Sequence, residues 1–341
     1  MSQDLEKLED TCKLFSGKIT MKNALLFATV FAVGSISAWN QEDHNPTNLL
    51  TIAEEQSDIF NLAPRPFLLE ADLTVQLAVP AQGHLTIHWQ SKNQWRRELE
   101  FGPYKETVVR AGEWEYSQRN VGFAPLRAIE VVDLLQFARR DTYIAARSEK
   151  TRNKNGVVLT CIGLESTVSN GYYEICADSA THDIVSFNPW AYGVEGGSAE
   201  FSTYTGIEAM QFPKHLELLI GKGLAVTINV TKLDEQALDA NLLIPPPGAT
   251  ERRYCEVMTA PVIIQKPDFT SLRGFSGNVH VRLQVTILKD GSVGAIQVIS
   301  QNSVEAGDRI RKAWKDVRYK PAMCRTEPVV ADDQVGIDIT R

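Results

Sequence analysis

The chain has 341 residues, of which 43% are hydrophobic and 23% charged, with a net charge of −7. That length suits two domains. The composition is that of an ordinary globular protein, and the negative balance argues against a nucleic-acid partner, which needs a basic surface.

Lys18 and Lys22 precede an uncharged apolar run over 24–39, and Ser35-Ile36-Ser37-Ala38 offers small residues for cleavage. This is the layout of a secretory signal peptide over 1–38, with Met21 as an alternative start. The run is shorter than the about 20 residues of a membrane span. Export to the periplasm or cell envelope is the expectation, and an inner-membrane anchor through 24–39 is the alternative. Cysteine usage agrees. Cys12 precedes the run and would be lost on cleavage, which leaves four of the five cysteines for an oxidising compartment. Cys161 and Cys176 sit on successive strand-like runs, and Cys255 and Cys324 bracket the C-terminal stretch, so these two pairings are expected. Sequence alone leaves other connectivities open. Zinc is the weaker reading, because no pair has C-x-x-C spacing.

Residues 48–61 carry apolar positions at helical spacing, stopped by Pro64 and Pro66. Strand patterns follow at 68–77, 83–89, 95–101, 104–110 and 113–118, each bounded by a turn signal, as in an antiparallel meander. A helix is expected from Pro125, with Leu126, Ile129 and Leu135 on its apolar side. Further strands are expected at 143–146, 156–164, 171–176, 184–187, 195–204, 208–211, 216–220 and 224–231. Pro245-Pro246-Pro247-Gly248 reads as a stiff linker and a domain boundary.

Beyond it, Val279, Val281, Leu283, Val285 and Ile287 alternate with polar residues until Asp290-Gly291, a tight-turn dipeptide, and an apolar run over 293–299 follows. Asn302 or Ser303 can cap a helix whose stripe is Ile310, Ala313, Trp314 and Val317. Tyr319-Lys320-Pro321-Ala322 ends it, and Val335, Ile337 and Ile339 alternate as a last strand.

Two resemblances follow from these residues. Gly277, the alternating valines, Asp290-Gly291-Ser292-Val293, the helix to Val317, the Tyr319–Ala322 corner and Pro328-Val329 together resemble the TonB C-terminal domain over 255–341. That family implies binding of an extended peptide from an outer-membrane transporter, or of another envelope protein, by strand addition to the last strand, here Val335, Gly336, Ile337, Asp338 and Ile339. Separately, a long antiparallel sheet with one central helix, with Tyr204-Thr205-Gly206-Ile207, Phe212-Pro213 and the strands 216–220 and 225–230, resembles the half-barrel of LolA-like lipoprotein carriers over 58–240. That resemblance implies an apolar cavity for a lipid or acyl chain. The expected fold class is α+β. A curved, half-barrel-like antiparallel β-sheet with a covering helix (46–245) precedes a small β-β-α-β TonB-like domain (250–341).

No catalytic motif stands out. His84 and His88 share one strand side without a third metal ligand, and read as solvent-facing. Glu98, Glu100, Glu113 and Glu115 read as solvated strand faces. Trp89, Trp95, Trp114, Trp190 and Tyr116 either line a lipid-accepting concavity or pack a large sheet. The reading is a non-enzymatic, metal-free and cofactor-free binding protein. A peptide- or protein-binding module is its main form, and a periplasmic lipid or lipoprotein carrier is the alternative.

Overall fold

The computed structural model describes residues 46–138, 143–166, 172–190, 197–221, 223–255, 258–268 and 278–339. The expected signal segment, 1–38, lies outside them. No helix among the described residues is long and apolar enough to cross a membrane.

Two helices, α1 (Pro46–Ser57) and α2 (Ile59–Leu62), lead into a meander of five strands: β1 (Phe67–Val75), β2 (Ala81–Ser91), β3 (Gln94–Phe101), β4 (Tyr104–Ala111) and β5 (Trp114–Arg119). Gly102 and Gly112 supply the positive φ that two of its tight turns require. Helix α3 (Leu126–Leu135) then carries the chain to a second meander. Its strands are β6 (Tyr143–Lys154), β7 (Val157–Ser166), β8 (Tyr172–Asp178), β9 (Ile184–Trp190), β10 (Gly197–Ile207), β11 (Met210–Ile220) and β12 (Gly223–Glu235). The second meander runs inward from the far edge, so that β12 comes to lie beside β1, with Leu73 opposite Ile228. Within each meander the pairings join neighbours in sequence; the β1–β12 pairing is long-range and turns two meanders into one sheet.

A sheet this wide cannot stay flat, because strand twist accumulates across it. The helices lie on one face, called the inner face here. Helix α1 packs against β6, β9 and β11, and α2 against β2 and β11. A single apolar core joins Ala53, Ile59, Val131 and Leu134 of the helices to inner-face residues such as Leu73, Leu85, Phe187, Phe212 and Ile228. On the outer face, residues 236–249 return across the first meander. Leu238 N–H donates to Gln90, Arg96 donates to the Leu242 carbonyl, and Gln118 donates to the Pro247 carbonyl at 2.7 Å. A 3-10 turn at Ala240–Leu243 packs against β3 and β4 on this route. It delivers β13 (Thr250–Arg253) to the free edge of β5, completing a sheet of 13 strands in the order β13-β5-β4-β3-β2-β1-β12-β11-β10-β9-β8-β7-β6.

The remainder holds β14 (Met258–Thr259), β15 (Val262–Gln265), β16 (Val279–Ile287), β17 (Val293–Gln301), α4 (Val304–Trp314), β18 (Arg318–Lys320), β19 (Ala322–Cys324), β20 (Glu327–Val329) and β21 (Ala331–Ile339). The β16–β17 hairpin turns at Asp290-Gly291. Gly291 has φ +79°, and a Cβ there would stand 1.9 Å from the Tyr319 carbonyl oxygen, so no larger residue fits. Ser303 caps α4, its hydroxyl accepting from Ala306 N–H. Trp314 is buried beneath the hairpin and donates from Nε1 to the Tyr319 hydroxyl at 3.0 Å.

The fold class corrects the expectation. The protein is mostly β and is dominated by the 13-stranded antiparallel sheet; it is not an α+β protein with a small TonB-like domain. The physical reason lies in the segments outside the alternating strands. The short strands β14, β15, β18, β19 and β20 divide the C-terminal residues among separate two- and three-stranded sheets, and β13 belongs to the large sheet. The Tyr319–Ala322 corner is built into β18 and β19, where Tyr319 and Lys320 pair with β15 and Ala322 pairs with Val329 of β20.

Candidate functional site

Strand register places chemistry on the inner face. Residues directly opposite in an antiparallel ladder point to the same side. One row runs Phe67 (β1), Trp89 (β2), Trp95 (β3), Arg110 (β4), Glu115 (β5) and Arg252 (β13). Phe67 and Trp89 stack in the core with ring centres 5.0 Å apart. Across four strands the same face thus passes from aromatic to ionic. The next rows carry Arg97 opposite Ile87, and Glu106 between Leu99 and Arg119.

This face, α1, α2, α3 and the C-terminal segments enclose a cavity of about 980 Å³, the upper end of the size range for small-molecule sites. Phe60, Leu62, Ile87, Trp89, Val132 and Leu135 give it apolar walls. Trp95, Arg97, Arg110 and Glu115 lie at its ionic end. Glu113, Arg253, Tyr254, Cys255, Cys324 and Arg325 form the rim.

The charges at the ionic end fall into two states. Glu106 is nearly fully buried and accepts from Arg97 at 3.1 Å and from Arg119. Burial opposes its ionisation, but the two guanidiniums outweigh burial and hold its carboxyl below the usual range. Arg110 is 2% exposed, and its Nε and Nη1 have no hydrogen-bond partner. Tyr254 covers the guanidinium, 3.5 Å from ring centre to Cζ. Burial pushes Arg110 down, while the Glu115 and Glu113 carboxylates favour its charged form through space.

The C-terminal residues are fastened at the rim. Arg252 donates twice to Asp332, and Arg253 bridges Glu113, at 2.8 Å, and Glu327. The Cys255–Cys324 disulfide joins the segment after β13 to β19. The second disulfide, Cys161–Cys176, links directly opposed residues of β7 and β8, away from the main core, beside Leu159 and Val185. These are the two pairs expected from sequence. Glu174 lies close enough to Cys161 and Cys176 to suggest a metal site, but both sulfurs are spent in the S–S bond and offer no thiolate.

Val335, Gly336, Ile337, Asp338 and Ile339 lie on β21, an edge of the β17-β16-β21 sheet. Val335 and Ile337 turn into that sheet's core. These residues are not at the cavity. His84 pairs with Asp72 at 3.3 Å, and burial pushes His88 down. Trp89 and Trp95 line the cavity, Trp114 is partly exposed, and the Trp190 side chain lies outside the described residues. Glu98 keeps to the outer face with Arg96. Glu115, read from sequence as solvated, lies in the cavity lining opposite Arg110. Arg97, Glu106 and Arg110 escaped the sequence reading. Their signal was register: each is opposite a position that the alternation marks as inward.

No protein-family profile matches the chain, and no curated protein does. Among solved structures, a LolA superfamily protein from Nitrosomonas europaea aligns with a TM-score of 0.40 at 9% identity, over 58% of this chain and 96% of its own. A putative outer membrane lipoprotein-sorting protein domain from Vibrio parahaemolyticus aligns at 0.39 and 11% identity, over 58% and 95%. The Pseudomonas aeruginosa MucA/MucB complex aligns at 0.29 and 10% identity, over 86% and 93%. Scores this low carry neither fold nor function across.

Proposed function

We propose that this chain is an exported, non-enzymatic carrier that holds an acyl chain, free or as part of a lipid or lipoprotein, between the first meander and its helices. The observation that carries this reading is the cavity of about 980 Å³, where the aromatic and aliphatic side chains Phe60, Leu62, Ile87, Trp89, Val132 and Leu135 meet charged groups, among them Glu54, Glu55 and Asp58 of the helices and Arg97, Arg110 and Glu115 of the sheet. A pocket of that size whose lining is shared between apolar and charged side chains suits an amphiphile. Export is supported by the uncharged run over 24–39 behind Lys18 and Lys22, and by two disulfides, which persist in oxidising compartments. The ionic groups Arg97, Glu106 and Arg119 are locked to one another, an arrangement that suits a fixed wall better than proton transfer.

Native mass spectrometry of the full chain, purified from its own host without detergent, tests the reading. An adduct of acyl-chain mass that is displaced by an apolar naphthalene dye is the expected result. An empty protein that also fails to bind the dye would sink the carrier function. The same spectrum reports whether the N-terminal segment has been removed.

A further inference from the structure

The carrier reading leaves open what the ionic end of the cavity is for, and one residue there differs from its neighbours. Arg97 donates to Glu106, and Arg253 is bridged by Glu113 and Glu327. Arg110 lines the same cavity, is 2% exposed, and has no carboxylate or carbonyl accepting from Nε or Nη1. A buried guanidinium normally has its donors satisfied, because leaving them unpaired is costly. Tyr254 does not supply this. Its ring lies over the guanidinium with its centre 3.5 Å from Cζ, and a ring in that position meets the π face, whereas the N–H donors point outward in the guanidinium plane. Glu115, opposite on β5, acts on Arg110 through space without a hydrogen bond.

We infer that Arg110 is an anion-recognising residue at the polar end of the cavity, so that the bound amphiphile carries an oxyanion, phosphate or carboxylate, at its head. The inference rests on the carrier reading and narrows it to an anionic acyl lipid. The planar fork suits two oxygens of one oxyanion. The row from Phe67 through Trp89 and Trp95 to Arg110 sets the direction: tail against the aromatic core, head toward β4 and Tyr254. Stacking on Tyr254 holds the fork in one plane before the ligand arrives.

The test uses the full chain and four probes: oleoyl lysophosphatidate, oleate, neutral monooleoylglycerol and inorganic phosphate. Binding is read by calorimetry and by the fluorescence of the cavity tryptophans. The wild type is expected to bind at least one of the two anionic amphiphiles about tenfold or more tighter than the neutral one, the scale of a charge-assisted hydrogen bond. Arg110→Met is expected to abolish that preference and leave monooleoylglycerol unchanged. Should Arg110→Met fail to fold, Arg110→Lys keeps the charge without the fork and is expected to lower the same ratio. An equal affinity for charged and neutral amphiphiles, or a preference that survives both variants, overturns the inference while the carrier reading stands. Inorganic phosphate binding as tightly as lysophosphatidate through Arg110 also overturns it, since the anion would then be free rather than lipid-borne. Failure of all three oleoyl probes is the separate failure of the carrier reading.

Discussion

The two meanders of the large sheet are built alike and finished differently. In the second meander the row Phe201, Leu216, Ile228 continues into Leu73 of β1, and every member is buried. Phe137, just after α3, packs on Phe201 with ring centres 4.4 Å apart and on Phe212 at 5.8 Å. This half is solid core. In the first meander the row begins as apolar as the other and ends in Arg110 and Glu115, facing open volume. An antiparallel sheet needs one covered face for stability, and here half of that face is filled while the other half borders the cavity. Charged side chains border the open half where apolar ones fill the other. The cavity lining carries Arg110, buried with two donors unpartnered, and Arg97, which the buried Glu106, paired also with Arg119, holds in place as a strut.

The largest effects should separate the strut from the filler. Glu106→Gln removes the charge that compensates Arg97 and Arg119 and should cost about 3–5 kcal/mol, as breaking a buried pair does. Phe212→Ala in the solid half should cost a similar amount, about 3–5 kcal/mol, through loss of burial and a residual cavity. Both are read from denaturant midpoints. Dye binding should fall with the first and persist, in the folded fraction, with the second. If both variants bind alike, the two halves are not functionally distinct. Glu106 also sets a pH dependence. Its folded pKa lies below the unfolded value of 4.5, so its contribution is present above that value and is lost as pH falls through the folded pKa. The acid limb of the stability profile should flatten in Glu106→Gln.

Next come the disulfides. In the chain-entropy account, closing a loop of 69 residues (Cys255–Cys324) should stabilise by roughly 4 kcal/mol, and one of 15 (Cys161–Cys176) by about 3 kcal/mol. The sharper contrast is in ligand retention. Replacing Cys255 and Cys324 with Ser should speed dye release, because that bridge stands at the rim; the same change at Cys161 and Cys176 should lower thermal stability only. Equal release rates would detach the C-terminal residues from the cavity.

Trp95→Ala should cost less stability than Phe212→Ala, since Trp95 is only partly buried, yet should weaken dye binding more. The reverse order, in melts and titrations of the two variants, would break the comparison. The smallest effect is expected at Glu98→Gln on the outer face of the same strand. Its own side chain is about half exposed although its partner Arg96 is mostly covered, so the change should stay within about 1 kcal/mol and leave binding untouched.

Much of the local structure was legible in the residues. The β16–β17 hairpin shows in five alternating apolar positions and in Asp290-Gly291, because a half-buried strand has period two and a tight turn needs positive φ. The strands β2 to β5 show in the same way, as does the helix beginning after Pro125. Both disulfide pairs were expected from the placement of four cysteines, and the structure selected them over the other connectivities that sequence left open. The fold class was not. The C-terminal alternation is real, but alternation reports only that a strand has one covered face. It does not say which sheet the strand joins, and the residues between the alternating runs built separate small sheets.

The order of strands along the chain and the export-like N-terminal run were determined by sequence alone, because turn chemistry and side-chain period act over a few residues. Only the tertiary structure decided that β12 closes on β1, that β13 caps β5 after crossing the outer face, and that Arg110 meets Tyr254 over a cavity. These are contacts between residues far apart in the chain. They are chosen by the burial of whole faces and by ladder register, neither of which any short stretch of residues encodes by itself.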